Sequence, residues 1–372
     1  MTDLVPVLDG ELVVDGGRHL AVPSQHQPGV DDQLDEAAWD LIAAAIPANT
    51  TRAYRRLLLG KVLTEPGEPE RLAKGVWPEL AWVPWCRTRG RRSGIDGAPA
   101  TGETLAQWAT ELANASIGAS TIEQGIAAVK RLHTEHRYEG DPQTHLARKV
   151  LVGYRANAGS RQVKRATPLT VPSLRMILRT PPPGPARATR DGLALVLGVA
   201  GMLRRSELAA MRLEHVTRSD RGLSLWLPTS KTDKGNRGAT VAVPRGNDPL
   251  TDPLGYYERW LALLAEQGHD TTSGPLLRPI TPRGDRIGAG TLHPEGIDID
   301  RLIKAGAVRA GLGKAGWSGH SLRAGGATAA HLGGASLIEI MIQGRWTSAD
   351  TVKKYIRFEE LWTHNAAGRM GL

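Results

Sequence analysis

Four segments in the second half of the chain carry side chains able to handle a phosphate. In Gly201-Met202-Leu203-Arg204-Arg205-Ser206-Glu207, a carboxylate follows Arg204 by three residues, one helical turn away on the same face. Alone, R-x-x-E is the pattern of a surface ion pair; at the end of an apolar helix it also suits an arginine oriented toward a buried anion. Thr229-Ser230-Lys231-Thr232-Asp233-Lys234-Gly235-Asn236 reads as a charged turn, and its Lys231 can reach a neighbouring phosphate as a point charge or proton donor. Ser318-Gly319-His320-Ser321-Leu322-Arg323-Ala324-Gly325-Gly326 puts His320 and Arg323 on one helix face, followed by small residues that admit a close backbone or ligand. Gly344-Arg345-Trp346-Thr347 precedes a helix carrying Lys353, Lys354 and Tyr355.

Arg204, Lys231, His320, Arg323, Trp346 and Tyr355 make one set. Two guanidiniums, an ammonium, an imidazole and an indole N–H can surround a phosphodiester and the extra charge of its transition state. A tyrosine hydroxyl can attack phosphorus and hold the chain covalently. No Asp/Glu cluster suited to metal-assisted phosphoryl transfer accompanies them, so chemistry without metal or cofactor is expected.

The elements that must carry this set are mostly helices. Helical patterns cover Ala37–Ala45, Arg52–Val62 after the cap cluster Asn49-Thr50-Thr51, Thr101–Ala113, Ile122–His136 and His145–Tyr154. Pro66, Gly67 and Pro69 interrupt the series, and Gly90–Pro99 is a basic loop with Arg89, Arg91 and Arg92 at its start. An all-helical domain thus ends near residue 157, with domain bounds drawn at 35–158. Residues 159–167 are polar and aperiodic and read as a linker. The second domain, 168–372, opens with helices at Pro172–Leu178 and Thr189–Gly201. Two strands follow, Leu223–Leu227 and Thr240–Val243, joined by the Thr229–Gly238 connection. Helices return at Pro253–Glu266 and from Asp298 onward. Ser336-x-x-Glu339 is a capping box for a helix stopping at Gly344, and Thr347-x-x-Asp350 opens the next.

At 372 residues, 41% hydrophobic and 23% charged, the chain has the composition of a globular protein of two or three domains, not of a disordered one. Phe occurs once and Trp ten times, so tryptophan and aliphatic residues must fill the interior. The net charge of +9 hides an asymmetry. Residues 1–48 carry −8, leaving +17 on the rest, a balance that fits a polyanionic partner. Residues 1–34 read as an acidic tail. The single cysteine, Cys86, excludes an intramolecular disulfide and a cysteine-cluster metal site. The longest apolar run, Leu193–Leu203, suits a buried helix; with no basic, apolar leader after Met1, a cytoplasmic protein without membrane contact is expected.

In their order, the motifs Met202–Glu207, Ser230–Thr232, His320–Gly325, Gly344–Thr347 and Tyr355-Ile356-Arg357 resemble those of the tyrosine recombinases, the phage integrase family, most closely its Cre type. Trp346 stands where many relatives have His. The N-terminal half matches too, in Asn49–Tyr54, Trp85-Cys86, Pro99-Ala100, Ser120–Ile122 and Leu132-His133, so the resemblance covers about residues 35–362. Glu65–Glu70 looks like an insertion in the family's first long helix.

The resemblance implies a mainly α fold with a small β-sheet in the catalytic domain, arranged as a two-domain clamp on DNA. It implies Tyr355 as nucleophile, giving a 3′-phosphotyrosine. Arg204, Arg323 and Trp346 would hold the non-bridging oxygens, His320 would assist proton transfer, Lys231 would protonate the leaving 5′-oxygen, and Glu207 would orient the site. Arg52, Arg55, Arg56, Gln124, Lys130 and Arg131, with linker residues Lys164 and Arg165, would contact DNA. The implied partner is duplex DNA with an inverted-repeat site, bound by a homotetramer and placing the protein on the nucleoid. A hairpin telomere resolvase, a type IB topoisomerase and a non-catalytic DNA-binding relative are the competing functions.

Overall fold

The computed structural model describes residues 48–62, 71–73, 75–95, 97–157, 166–228, 238–356 and 370. The acidic tail, the helix expected at 37–45, the insertion at 65–70, Lys164, Arg165, most of the linker, Lys231 with its hairpin, and Arg357 lie outside them. The chain divides into two compact units, 1–162 and 163–372.

The first unit holds α1 (Ala48–Leu59), α2 (Trp77–Leu80), α3 (Trp82–Thr88), α4 (Gly102–Asn114), α5 (Ala119–Glu135) and α6 (His145–Asn157). It is not all-helical. A two-residue strand β1 (Lys61–Val62) pairs antiparallel with β2 (Arg71–Leu72). Helix α1 therefore stops at Leu59 and does not reach Val62. The next residue, Gly60, has φ +68°, and a Cβ there would lie 2.5 Å from the Trp77 carbonyl oxygen, so only glycine fits the turn. Thr101 caps α4 as expected, its side chain accepting from the Thr104 N–H at 3.1 Å. Helix α5 starts at Ala119, after Gly118, and no side chain caps it; Ser120 lies inside the helix.

Tryptophan does dominate this interior. Trp82, Trp85 and Trp108 are fully buried, and the Trp82 and Trp108 rings meet edge to face at 5.3 Å. The indole N–H of Trp82 donates to the Ser93 carbonyl at 2.7 Å, and that of Trp108 to the Leu80 carbonyl at 2.8 Å. Two of the three rings are thus buried with their donors satisfied, whereas the Trp85 indole N–H is buried without a hydrogen-bond partner. Buried His133 ties the 94–100 loop to α5. Its Nε2 accepts from the Ala100 N–H at 3.0 Å, which leaves Nδ1 to donate to the Val129 carbonyl at 2.8 Å.

The second unit begins with α7 (Val171–Arg179) and α8 (Pro185–Ala200), followed by the short α9 (Arg205–Ala209). Strands β3 (Val216–Ser219), β4 (Gly222–Leu227) and β5 (Ala239–Pro244) form an antiparallel sheet in that order. The sequence showed two of these strands. The first, β3, is mostly exposed and carries no alternation of apolar residues. Then come α10 (Pro253–Glu266), α11 (Ile297–Arg309), α12 (His320–Leu332), α13 (Leu337–Gly344) and α14 (Ala349–Tyr355). Helix α14 has Ser348 at its cap position, one residue later than the Thr347 cap expected from sequence, and no side chain caps it. The main core gathers buried residues of α8, α10, α11 and the sheet, with Trp260 donating to the Leu276 carbonyl at 2.7 Å.

The Gly325-Gly326 pair of α12 admits backbone. A Cβ on Gly325 would lie 2.0 Å from the Leu169 carbonyl oxygen, and one on Gly326 would lie 2.3 Å from that of Val199 in α8. Burial holds the His133 imidazole below its ordinary value, with the charge of Lys130 and nearby His136 acting in the same direction and Asp141 against. Above about pH 6.5 the folded and unfolded chains both keep it neutral; below that the unfolded chain takes up the proton first, so stability falls as pH drops toward the folded-state value. Protection of α5 amides relative to their intrinsic exchange rates is therefore expected to fall between pH 7 and pH 5. In His133→Gln, protection should be lower at pH 7 and its loss toward pH 5 shallower; an unchanged pH dependence would discount His133.

Candidate active site

The end of α8 sets up the site. Gly201 follows the helix, and Met202 then takes φ +46°, the left-handed region that non-glycine residues avoid. Its carbonyl accepts from Arg323 Nη1 at 2.6 Å and from Arg345 Nη2 at 3.3 Å. Arg204 comes next, immediately before α9. Glu207, in the first turn of α9, serves it twice. One carboxylate oxygen accepts the Arg204 backbone N–H at 2.8 Å, and the other meets its guanidinium at 2.5 Å. The Glu207 side chain is 5% exposed and that of Arg204 19%. Burial pushes the Glu207 carboxyl up, but Arg345, Arg204 and the backbone N–H together hold it below its ordinary range.

Helix α12 brings Arg323 under this loop. Its guanidinium is 2% exposed, with Nη1 on the Met202 carbonyl and Nη2 on the Gly344 carbonyl, both at 2.6 Å. Burial, reinforced by Arg204 and Arg345, pushes it down to about 10, so it stays charged at neutral pH. It lies over the Trp346 ring at 4.2 Å and 5.9 Å from the centre of the Tyr355 ring. The two aromatic rings are 5.0 Å apart. Tyr355, half-buried, ends α14, and its carbonyl accepts from the Thr328 hydroxyl of α12 at 3.4 Å. Gly344 is required beneath Trp346, because a Cβ there would lie 1.9 Å from the indole.

The structure thus gathers Arg204, Glu207, Arg323, Trp346 and Tyr355. His320 is the first residue of α12, one turn before Arg323, and is exposed. The segment before it is held by Asp300 of α11, which accepts the Gly319 N–H at 2.5 Å and pairs with Arg205. Tyr256 and Tyr257 are core residues of α10, both raised by burial.

The described candidate DNA contacts belong to the first unit. Arg52 and Arg55 are half-buried on α1, and exposed Arg56 lies over the Trp77 ring at 5.3 Å. On α5, Gln124 is exposed, Lys130 donates to the Asp141 carbonyl at 3.3 Å, and Arg131 pairs with Glu135 at 2.6 Å.

Sequence reasoning missed Arg345. The helix stops at Gly344 as the sequence predicts, but the left-handed residue that follows it, φ +55°, is Arg345. The available signal was an arginine at the position where helices ordinarily end on glycine. Among the described residues, no cluster of three or more His, Cys, Asp or Glu side chains could hold a metal, and no helix is long and apolar enough to cross a membrane.

Charged guanidiniums gathered beside a tyrosine can hold a phosphate-sized anion next to a nucleophilic hydroxyl. No protein-family model matches the chain. It is 26% identical over 292 residues to the integrase/recombinase xerD homolog of Selenomonas ruminantium, covering 77% of this chain and 81% of that protein. It is also 26% identical over 293 residues to the recombinase cre of Escherichia phage P1, covering 74% and 80%. The fold is similar to that of the site-specific recombinase XerH in a post-cleavage complex with a palindromic difH substrate, with TM-score 0.53, 14% identity, and coverage of 72% of this chain and 69% of that one. In sequence the chain is thus similar to proteins named as recombinases, and in fold to a site-specific recombinase.

Trp346 is 7% exposed and supports both Arg323 and Tyr355. Trp346→Ala is expected to cost about 3–5 kcal/mol, as for other buried Trp truncations. In thermal unfolding that is a fall of about 10 °C for a unit of this size. A shift under about 2 °C would show that the ring carries little of the packing.

Proposed function

We propose that this protein is a site-specific DNA recombinase that cuts and rejoins duplex DNA through a 3′-phosphotyrosine. The observation that carries the reading is the placement of the Tyr355 ring beside the buried Arg323 guanidinium and the Trp346 indole. The curated relatives named as recombinases favour it over a telomere resolvase or a type IB topoisomerase.

In the proposed reaction the Tyr355 oxygen attacks the scissile phosphorus. The bond to the 5′-oxygen breaks, and the phosphate remains on tyrosine through the 3′ end. His320 assists removal of the phenolic proton, and Lys231 gives a proton to the leaving 5′-oxygen. Arg204, Arg323 and the Trp346 N–H neutralise the charge that develops on the non-bridging oxygens, and the pair of oxygens on Glu207 keeps Arg204 in place. Attack by a 5′-hydroxyl from a second duplex reverses these steps, so no high-energy cofactor is consumed. Strand exchange between two sites calls for four protomers on inverted-repeat DNA, in the cytoplasm and on the nucleoid. Arg52, Arg55, Arg56, Gln124, Lys130, Arg131, Lys164 and Arg165 are proposed to bind the duplex, most of them at phosphates.

Tyr355→Phe removes one oxygen. On a nicked duplex selected from a random pool for binding, the wild-type chain is expected to form a denaturant-resistant adduct without added metal, mapping to Tyr355. The variant should form none while binding the duplex as tightly. An adduct in Tyr355→Phe, or one mapped elsewhere, would falsify the assignment. The +17 carried outside residues 1–48 predicts that affinity for the same duplex falls by roughly a thousandfold between about 50 and 200 mM salt. An affinity flat over that range would rule out a phosphate-dominated interface.

A further inference from the structure

Arg345 occupies a backbone conformation that glycine adopts freely and arginine does not, φ +55°, at the end of α13. Its side chain is nevertheless 9% exposed, and both terminal nitrogens are engaged at the site. Nη1 donates to the carbonyls of Gly201 at 3.2 Å and Gln343 at 3.1 Å. Nη2 donates to the Met202 carbonyl at 3.3 Å and to Glu207 at 2.8 Å. The Glu207 oxygen it meets is the one that takes the Arg204 backbone N–H; the other oxygen takes the Arg204 guanidinium. A planar fork reaches carbonyls and carboxylate together, which a lysine ammonium does not do.

We propose that Arg345 is a positioning residue for strand cleavage: it pins Glu207 through one carboxylate oxygen, so that the other fixes Arg204 in the orientation that receives the phosphate. The assignment rests on reading this site as the DNA-cleaving centre. Without Arg345, Glu207 loses one of its two charged partners and Met202 one of the two guanidiniums on its carbonyl. Arg204 then loses its fixed support, although nothing that touches the phosphate has been removed. Three guanidiniums around one carboxylate also leave the site with excess positive charge, of which Arg345 supplies a share. The charged and titratable groups around Glu207 are Arg204 at the cap of its helix, Arg345 from the α13–α14 turn, and Arg323 from α12 with Tyr355 of α14 beyond it. The cations hold Glu207 ionised against its burial. With Arg345 gone, burial has less opposition, and Glu207 takes up a proton at higher pH.

The test uses full-length Arg345→Gly and Arg345→Lys. Glycine accepts the turn, so Arg345→Gly is expected to melt within a few degrees of wild type. Its adduct formation on the nicked duplex should be about tenfold or more slower at neutral pH, the loss expected for one charge-assisted contact. The acid limb of its pH–rate profile should move upward, and Arg345→Lys should fall between the two. A glycine variant with the wild-type rate and profile would overturn the proposal; a slower one with an unmoved acid limb would reduce Arg345 to a packing residue and overturn it too. A second arm needs no DNA: the rise in melting temperature caused by inorganic phosphate should be smaller in Arg345→Gly and partly recovered in Arg345→Lys. If wild type forms no adduct, the recombinase reading fails, and the phosphate arm alone decides the role of Arg345. Equal stabilisation of all three proteins by phosphate would then overturn it. Should Arg345→Gly fail to fold, Arg345→Lys is judged against wild type by the same two readouts.

Discussion

One buried cation organises the second unit. Arg323 binds the carbonyls of Met202 and Gly344, so a single guanidinium ties the loop after α8 to the turn after α13. An unpaired charge at that depth would be prohibitively unfavourable, and the two carbonyls with the Trp346 face are what make its burial tolerable. The left-handed conformation of Met202 has the same origin, since the chain turns where it must aim its carbonyl into the site. The tight glycines of α12 then follow, because Arg323 reaches both partners only if α12 lies almost in contact with α8 and with the segment at Leu169.

Electrostatics build on that frame. Arg204, Arg323 and Arg345 repel one another, and Glu207 is the acid that offsets them within the cluster. The imbalance is the functional quantity. A site neutral by itself would have no reason to take up an anion, whereas one with several unshared positive charges would not fold well. Glu207 sets the middle course, using one oxygen for each neighbouring guanidinium.

Much of this was legible in the residues. The R-x-x-E spacing gave the Arg204–Glu207 pair, because Arg204 is the N-cap and Glu207 the third helical residue, the two positions a capping box brings together. The Ser336–Glu339 capping box was correct for the same reason, its Ser336 hydroxyl accepting the Glu339 N–H at 3.2 Å. What escaped was set by tertiary contact. The two-residue strands at 61–62 and 71–72 are too short to show a period, and β3 is exposed on most of its length. The stop of α13 at Gly344 was legible, but not that Gly344 is fixed by the Trp346 ring pressed against it while Arg345 takes the left-handed turn. Arg345 was invisible for the same cause. Its four acceptors come from three separate parts of the chain, and no local pattern encodes that meeting.

The separation in sequence of these contacts bears on how the site comes into being. The bonds of Arg323 to Met202, of Arg345 to Glu207 and of Arg345 to Met202 span 121, 138 and 143 residues. Such contacts close large loops before they return any stabilisation, which makes them late events in folding. A partly folded second unit can hold its α8–α10 core and sheet while Trp346 and Tyr355 are still apart from Arg323. Strand-breaking capacity should therefore switch on with the last cooperative step and not accumulate gradually. Under the proposed covalent chemistry, an all-or-none assembly of Tyr355 with its neighbouring cations is a safeguard written into chain topology.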